Sequence, residues 1–91
     1  MIFDWDKQKA ARNLAKHNVS FEEAATVFGD PLSDTFDDTD HSAEERRFLI
    51  IGHSENGKLL FVSHTDEGEI VRVISARELT RGEREEYEGK N

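Results

Sequence analysis

"RRFLIIGHSENGKLLFVSHTDEGEIVRVISA", residues 46–76, contains three short runs rich in β-branched and aromatic residues, separated by two turn signals. Asn56-Gly57 supplies the positive φ angles of a tight hairpin in the first break, and Gly68 serves the second. The stretch therefore reads as an antiparallel three-strand meander. In its last run a period of two places Ile70, Arg72 and Ile74 on one face and Val71, Val73, Ser75 and Arg77 on the other.

Toward the N-terminus, "HNVSFEEAATVFGDP", residues 17–31, is the clearest helix signal. Ser20 is an N-cap, Glu23 completes an S-x-x-E capping box, and Val19 with Ala24 makes a hydrophobic staple. Phe21, Ala24, Ala25 and Phe28 form an apolar stripe, and Gly29 and Pro31 stop the helix. Residues 6–17 read as an earlier helix. Ala11, Leu14 and Ala15 lie on one of its faces, and Lys9, Arg12 and Lys16 lie on the opposite one. "MIFDW", residues 1–5, is a short strand, and "SDTFDDT", residues 33–39, is a further edge strand. Beyond the meander, Thr80 and Glu83 form a second capping box, which opens a helix running to about Glu88. The order predicts one α+β domain over residues 1–91: two N-terminal helices packed on a small antiparallel sheet, with a C-terminal helix.

Composition narrows the function. A chain of 91 residues buries only about 60–65% of its unfolded surface, so the core is thin. No cysteine is present, which excludes disulfides and thiolate metal sites and fits a reducing cytoplasm. The N-terminus lacks the apolar region of a signal peptide, and no apolar run reaches the length of a membrane span. Formal net charge is −8, unevenly spread: residues 1–45 hold 11 acids and 4 bases, residues 46–91 hold 9 acids and 8 bases. Residues 30–45 carry 7 acids and no base, a solvated segment or a docking surface for a basic partner.

Against that acidity, Arg72, Arg77, Arg81 and Arg84 gather within thirteen positions where strand becomes helix. Guanidinium groups around a helix N-terminus suit a phosphate, through bidentate bonds and free N–H groups. As surface ion pairs the same arginines would simply meet the glutamates around them. The basic stripe of Lys9, Arg12 and Lys16 suits a phosphate backbone, or else is the solvated side of its helix. None of His17, His41, His53 and His64 is spaced to ligate a metal with another, and His64 is a candidate for proton transfer. No phosphate-binding glycine loop, serine elbow or cysteine nucleophile occurs, which sets aside nucleotide-driven and acyl-enzyme chemistry.

Two long motifs carry a resemblance. Trp5-Asp6 followed by Asn13 through Ala24, then Arg72 through Arg77 with Glu83-Arg84 and Tyr87, resemble the BrnT family of type II toxins. The resemblance implies a RelE-like fold and metal-independent RNA cleavage that inhibits translation. No cofactor is implied. The implied partner is a co-encoded BrnA antitoxin with a ribbon-helix-helix part, the toxin–antitoxin complex binding operator DNA. Cleavage by RNA's own 2′-hydroxyl needs a base, an acid and cations for the phosphorane. Arg77, Arg72 and Arg81 are the candidate cations; His64, Glu83 and Tyr87 are the candidates for proton work. Lys9, Arg12, Lys16 and Arg84 are candidate RNA contacts. A net charge of −8 opposes a polyanion at long range, so a non-catalytic module docking a basic partner is the competing reading. Arginines confined to one cleft favour the enzyme; arginines dispersed among glutamates favour the module.

Overall fold

The computed structural model describes residues 1–41 and 45–89. Strand β1 (Ile2–Asp4) leads into helices α1 (Lys7–His17) and α2 (Phe21–Thr26). Strands β2 (Asp34–Asp37), β3 (Arg47–His53), β4 (Leu59–Glu67) and β5 (Ile70–Glu78) follow, then helix α3 (Arg81–Gly89). The sheet order is β1-β5-β4-β3-β2. The meander and the edge strand β2 pair antiparallel as expected, but β1 lies parallel to β5, so the five-strand sheet is mixed. The two helices between β1 and the meander carry the chain back to the starting end of the sheet, which leaves β1 running alongside β5.

Local chemistry explains most element ends. Asp6 caps α1 by accepting from the backbone N–H groups of Gln8 and Lys9, and those bonds hold its carboxyl below the usual range. Asn18 closes α1 in the left-handed conformation, φ 57°. Ser20 caps α2 as expected, accepting from Glu23 N–H at 3.0 Å. The second half of that capping box does not form. Glu23 instead accepts from the Ser54 hydroxyl at 2.7 Å, with Lys58 4.0 Å away, tying α2 to the β3–β4 turn. In that turn only Gly57 takes a positive φ, 82°, not Asn56 as well. Paired bonds from Gly57 N–H to Ser54 O and from Ser54 N–H to Lys58 O make it a type I turn closed by a bulge.

The main core lies between the sheet and α1/α2. Val19, Phe21, Ala24 and Val27 pack there against Ile50, Leu60, Val62, Val73 and Ala76, all nearly or fully buried. Full burial of each larger side chain contributes roughly 1.5–3 kcal/mol. Helix α1 packs through Ala10 and Asn13, while Ala11, Leu14 and Ala15 are exposed. The cause is Asn13. Its amide accepts from Ala76 N–H at 3.0 Å and donates to Ala76 O at 2.8 Å and Val19 O at 2.9 Å. Strand β1 ends opposite Arg72, so the later part of β5 has no strand on that side, and Asn13 satisfies the edge in place of one.

Candidate active site

The position of Arg77 depends on one extra residue in β5. Counting back from the Gly68 turn, with Glu67 opposite Ile70, an unbroken ladder sets Phe61 opposite Ala76. The observed partners are His64↔Val73 and then Ser63↔Ser75, which leaves Ile74 unpaired as a bulge. Beyond it Ala76 joins the helix-covered face, and Arg77, opposite Phe61, turns to the face that carries α3. The expected sharing of one face by Val71, Val73 and Arg77 is therefore corrected, because an unpaired residue reverses the alternation.

On that second face Arg77 lies over the Phe61 ring, 4.8 Å from its centroid. Its guanidinium grips Glu83 with two parallel bonds, Nη1 to Oε1 at 2.7 Å and Nη2 to Oε2 at 2.9 Å. Nη1 also donates to the Glu78 carbonyl at 3.2 Å. The T-x-x-E capping box forms in full: Thr80 N–H donates to Glu83 Oε1 at 2.9 Å, and Glu83 N–H donates to Thr80 Oγ1 at 3.2 Å. Arg77 first, and the Thr80 N–H next, pull the Glu83 carboxyl down to about 2. Glu83 in turn raises Arg77 further above its ordinary value. Strand end and helix start thus aim three N–H donors at one anionic position, with both side chains about a third exposed.

Beside this pair lies a shallow cleft of about 180 Å³ lined by Phe36, Ile51, Phe61, Glu83, Glu86 and Tyr87. The buried Tyr87 hydroxyl donates to the Leu32 carbonyl at 2.9 Å, holding the segment before β2 against α3. Burial, and then Asp34 and Asp30, push the Tyr87 phenol up. A second hollow, about 360 Å³, continues past Tyr87 between Leu32, His53 and Glu88.

The other expected residues do not converge here. His64 is neither solvated nor near Arg77. It is buried on the α1/α2 face, stacked 5.9 Å from Phe48 and edge-on to Phe28 at 4.8 Å. Burial depresses its proton affinity. Arg72 stands five residues before Arg77, roughly 16 Å away at about 3.3 Å per residue, and pairs with Asp4 at 3.2 Å. Arg81 is exposed and pairs with Glu85 at 3.3 Å; Arg84 is exposed. Lys9, Arg12 and Lys16, with His17, line a groove of about 310 Å³ between α1 and β5, floored by Asn13, Ile74 and Ser75. None of these three basic side chains makes an ion pair among the described residues. His53, at the end of β3, donates its backbone N–H to the Asp30 carboxylate at 2.8 Å. His41 and residues 42–44 of the acidic segment lie outside the described side chains. Phe61 and Thr80 are the contributors that sequence reasoning overlooks as parts of the site. The capping box points to Thr80, whereas Phe61 emerges only from the shifted register.

A family model described as "Ribonuclease toxin, BrnT, of type II toxin-antitoxin system" matches residues 5–83. Among solved structures, the fold is similar to the 1.1 Å crystal structure of the Brucella abortus ribonuclease toxin BrnT, with a TM-score of 0.66 and 22% identity. That likeness covers 89% of this chain and 100% of the other. At such an identity it speaks for the fold. No sequence among curated proteins matches the chain. The family match runs from Trp5 to Glu83 and takes in the first motif, Arg72 through Arg77 of the second and the Arg77–Glu83 fork: the chain belongs to the BrnT family of ribonuclease toxins of type II toxin–antitoxin systems.

Proposed function

We propose that this toxin cuts RNA without a metal ion, using the RNA's own 2′-hydroxyl as nucleophile. Arg77 holds the non-bridging oxygens of the scissile phosphate and stabilises the charge that builds on them. Glu83, at the same spot, takes the 2′-hydroxyl proton as the 2′-oxygen–phosphorus bond forms. The bond to the 5′-oxygen breaks, that oxygen takes a proton from solvent, and the products carry a 2′,3′-cyclic phosphate and a 5′-hydroxyl. Tyr87 keeps the cleft wall in place, its hydroxyl being committed to Leu32. His64, enclosed on the other face, supports packing there rather than proton transfer. Lys9, Arg12 and Lys16 guide the strand along the α1–β5 groove toward Ser75, two residues from Arg77, and Arg72, Arg81 and Arg84 add attraction from the rim. The carrying observation is the convergence of the Arg77 fork and the Thr80 N–H on one anionic position.

Cleavage of a synthetic oligoribonucleotide in excess EDTA tests this chemistry. Cyclic phosphate ends with an undiminished rate are expected. Activity that vanishes with EDTA and returns with magnesium would overturn it.

The partner reading rests on the family and on charge. A BrnA-like antitoxin with a ribbon-helix-helix part neutralises the toxin, and operator DNA is bound only by the complex. Residues 1–91 act as one RelE-like domain in the cytoplasm. Among the described residues no helix is long and apolar enough to cross a membrane. One observation favours docking of a basic segment: Asp34, Glu86 and Glu88, around the cleft by Tyr87, make no ion pair among the described residues. By contrast Arg72 and Arg81 are engaged by Asp4 and Glu85. Dispersed, acid-paired arginines are what a docking surface predicts, so Arg77 alone carries the catalytic argument among the four. Charge complementarity of this kind mainly speeds encounter. Co-expression with the neighbouring reading frame is expected to give a complex that survives purification, and separate elution at low salt would refute the partnership.

A further inference from the structure

We propose that in the free protein the Glu83 carboxylate occupies the seat of the scissile phosphate, and that RNA binds by displacing it from Arg77. The inference rests on the reading of Arg77 as the phosphate ligand. Each strong donor at the site is already directed at a carboxylate oxygen: the two Arg77 bonds at 2.7 and 2.9 Å and the Thr80 N–H at 2.9 Å. A carboxylate and a phosphodiester present the same two-oxygen edge to a guanidinium, so they compete for one fork. Two such anions cannot both take the Nη1–Nη2 edge that Glu83 holds.

The occupant is held in a way that permits exchange. Glu83 belongs to α3 through its own backbone N–H, bonded to Thr80 Oγ1, so its side chain can swing aside while the helix start stays capped. It borders the open cleft beside Phe61 and Tyr87, and about a third of its surface is exposed. Arg77 stays in place when its partner leaves, because the Phe61 ring beneath it and the Glu78 carbonyl also hold it. Displacement then does two things. It gives Arg77 to the phosphate, and it leaves beside the 2′-hydroxyl a carboxylate that has lost the partner that lowers its proton affinity most strongly. Substrate binding and the creation of a competent base become one event. The same exchange explains why a chain of net charge −8 carries an arginine site without a standing positive field: Glu83 neutralises it until RNA arrives.

The test is binding of a fully 2′-O-methylated oligoribonucleotide, which cannot be cut, to the wild type, E83Q, R77A and the double variant. Glutamine at this position retains the back-bond of a capping box, so E83Q is expected to melt within a few degrees of wild type. E83Q is expected to bind about tenfold tighter or more, the scale of removing a charge-assisted competitor. It is also expected to cleave the unmodified RNA more slowly, which splits affinity from turnover. E69Q removes an equal charge in the β4–β5 turn, at the other end of β5 from Arg77, and is expected to change affinity less than about twofold. Binding by E83Q that equals or falls below wild type overturns the displacement. A gain in E83Q that persists in the double variant overturns instead the assignment of Arg77 as phosphate ligand.

Discussion

The two faces of the sheet are built to different standards. Under α1 and α2, Val19, Phe21, Ala24 and Val27 are fully excluded from solvent, and even His64 on that side is packed between two aromatic rings. Under α3 the apolar cluster is small: Leu59 is fully buried, Ile51 and Tyr87 keep some exposure, and Phe61 and Leu79 are half-buried. A nine-residue helix cannot cover a five-strand sheet, so that face stays open at its edges. Openness is what lets Arg77 and Glu83 be both ordered and reachable. Stability is concentrated on one face and reactive polar chemistry on the other, with β5 contributing Ala76 to the first and Arg77 to the second.

Substitutions sharpen this contrast, beginning with the largest effect. Phe21→Ala is expected to cost about 3–5 kcal/mol in denaturant unfolding, from lost burial and the cavity it leaves. Phe61→Ala, across the sheet and half-buried, is expected to cost about half as much. Equal costs would erase the distinction between the faces. Asn13→Ala removes the groups that satisfy Ala76 N–H and O and is expected to cost about 2–3 kcal/mol, with no loss of cleavage in the fraction that remains folded. A stable Asn13→Ala would mean that water or a backbone shift meets the β5 edge instead.

Acid separates the faces by pH. His64 has a folded proton affinity below its ordinary value near 6.5, so its contribution is complete above 6.5 and is lost as pH falls below that. Glu83 is pulled from 4.5 to about 2, so its contribution is complete above 4.5 and is lost as pH falls toward 2. Unfolding free energy followed against pH is expected to show both declines. His64→Phe should abolish the first and leave the second, and E83Q should leave the first and shrink the second, to which Asp6 and Asp30 also contribute. A single decline unaffected by either change would contradict the placement of both groups. The smallest expected effect is that of Thr80→Ala, about 1 kcal/mol for the lost cap, read as a modest drop in melting temperature.

Much of this fold is legible in the residues because it follows from local chemistry. Ser20, Thr80 and Gly57 declare helix starts and a turn whatever surrounds them, and the alternation in β4 and early β5 marks the meander. What escapes notice is decided by partners distant in sequence. Ile74 becomes a bulge only when β4 is laid beside β5, and Arg77 changes face as a result. Leu14 looks like the inward residue of α1 until Asn13 is seen bonded to Ala76, 63 positions away. His64 seems a strand-end residue because its period-two neighbours Val62 and Leu60 are read as one short strand, whereas β4 runs on to Glu67. The parallel pairing of β1 depends on where two helices return the chain. Of the site, the arginine and the capping glutamate can be named from sequence, but their union cannot, since spacing alone allows Arg77 any of several nearby acids.

The central claim is that the open face carries the chemistry through Arg77, and its most direct measurement is Arg77→Ala assayed in parallel for RNA cleavage and thermal unfolding. Loss of one charged donor from such a site is expected to lower the cleavage rate by about 10²–10³. A half-exposed ion pair contributes roughly 0–1 kcal/mol, so the melting temperature is expected to fall by only a few degrees. Cleavage at the wild-type rate, or a loss of activity that merely follows unfolding, would return Arg77 and Glu83 to the status of a structural pair and contradict the account.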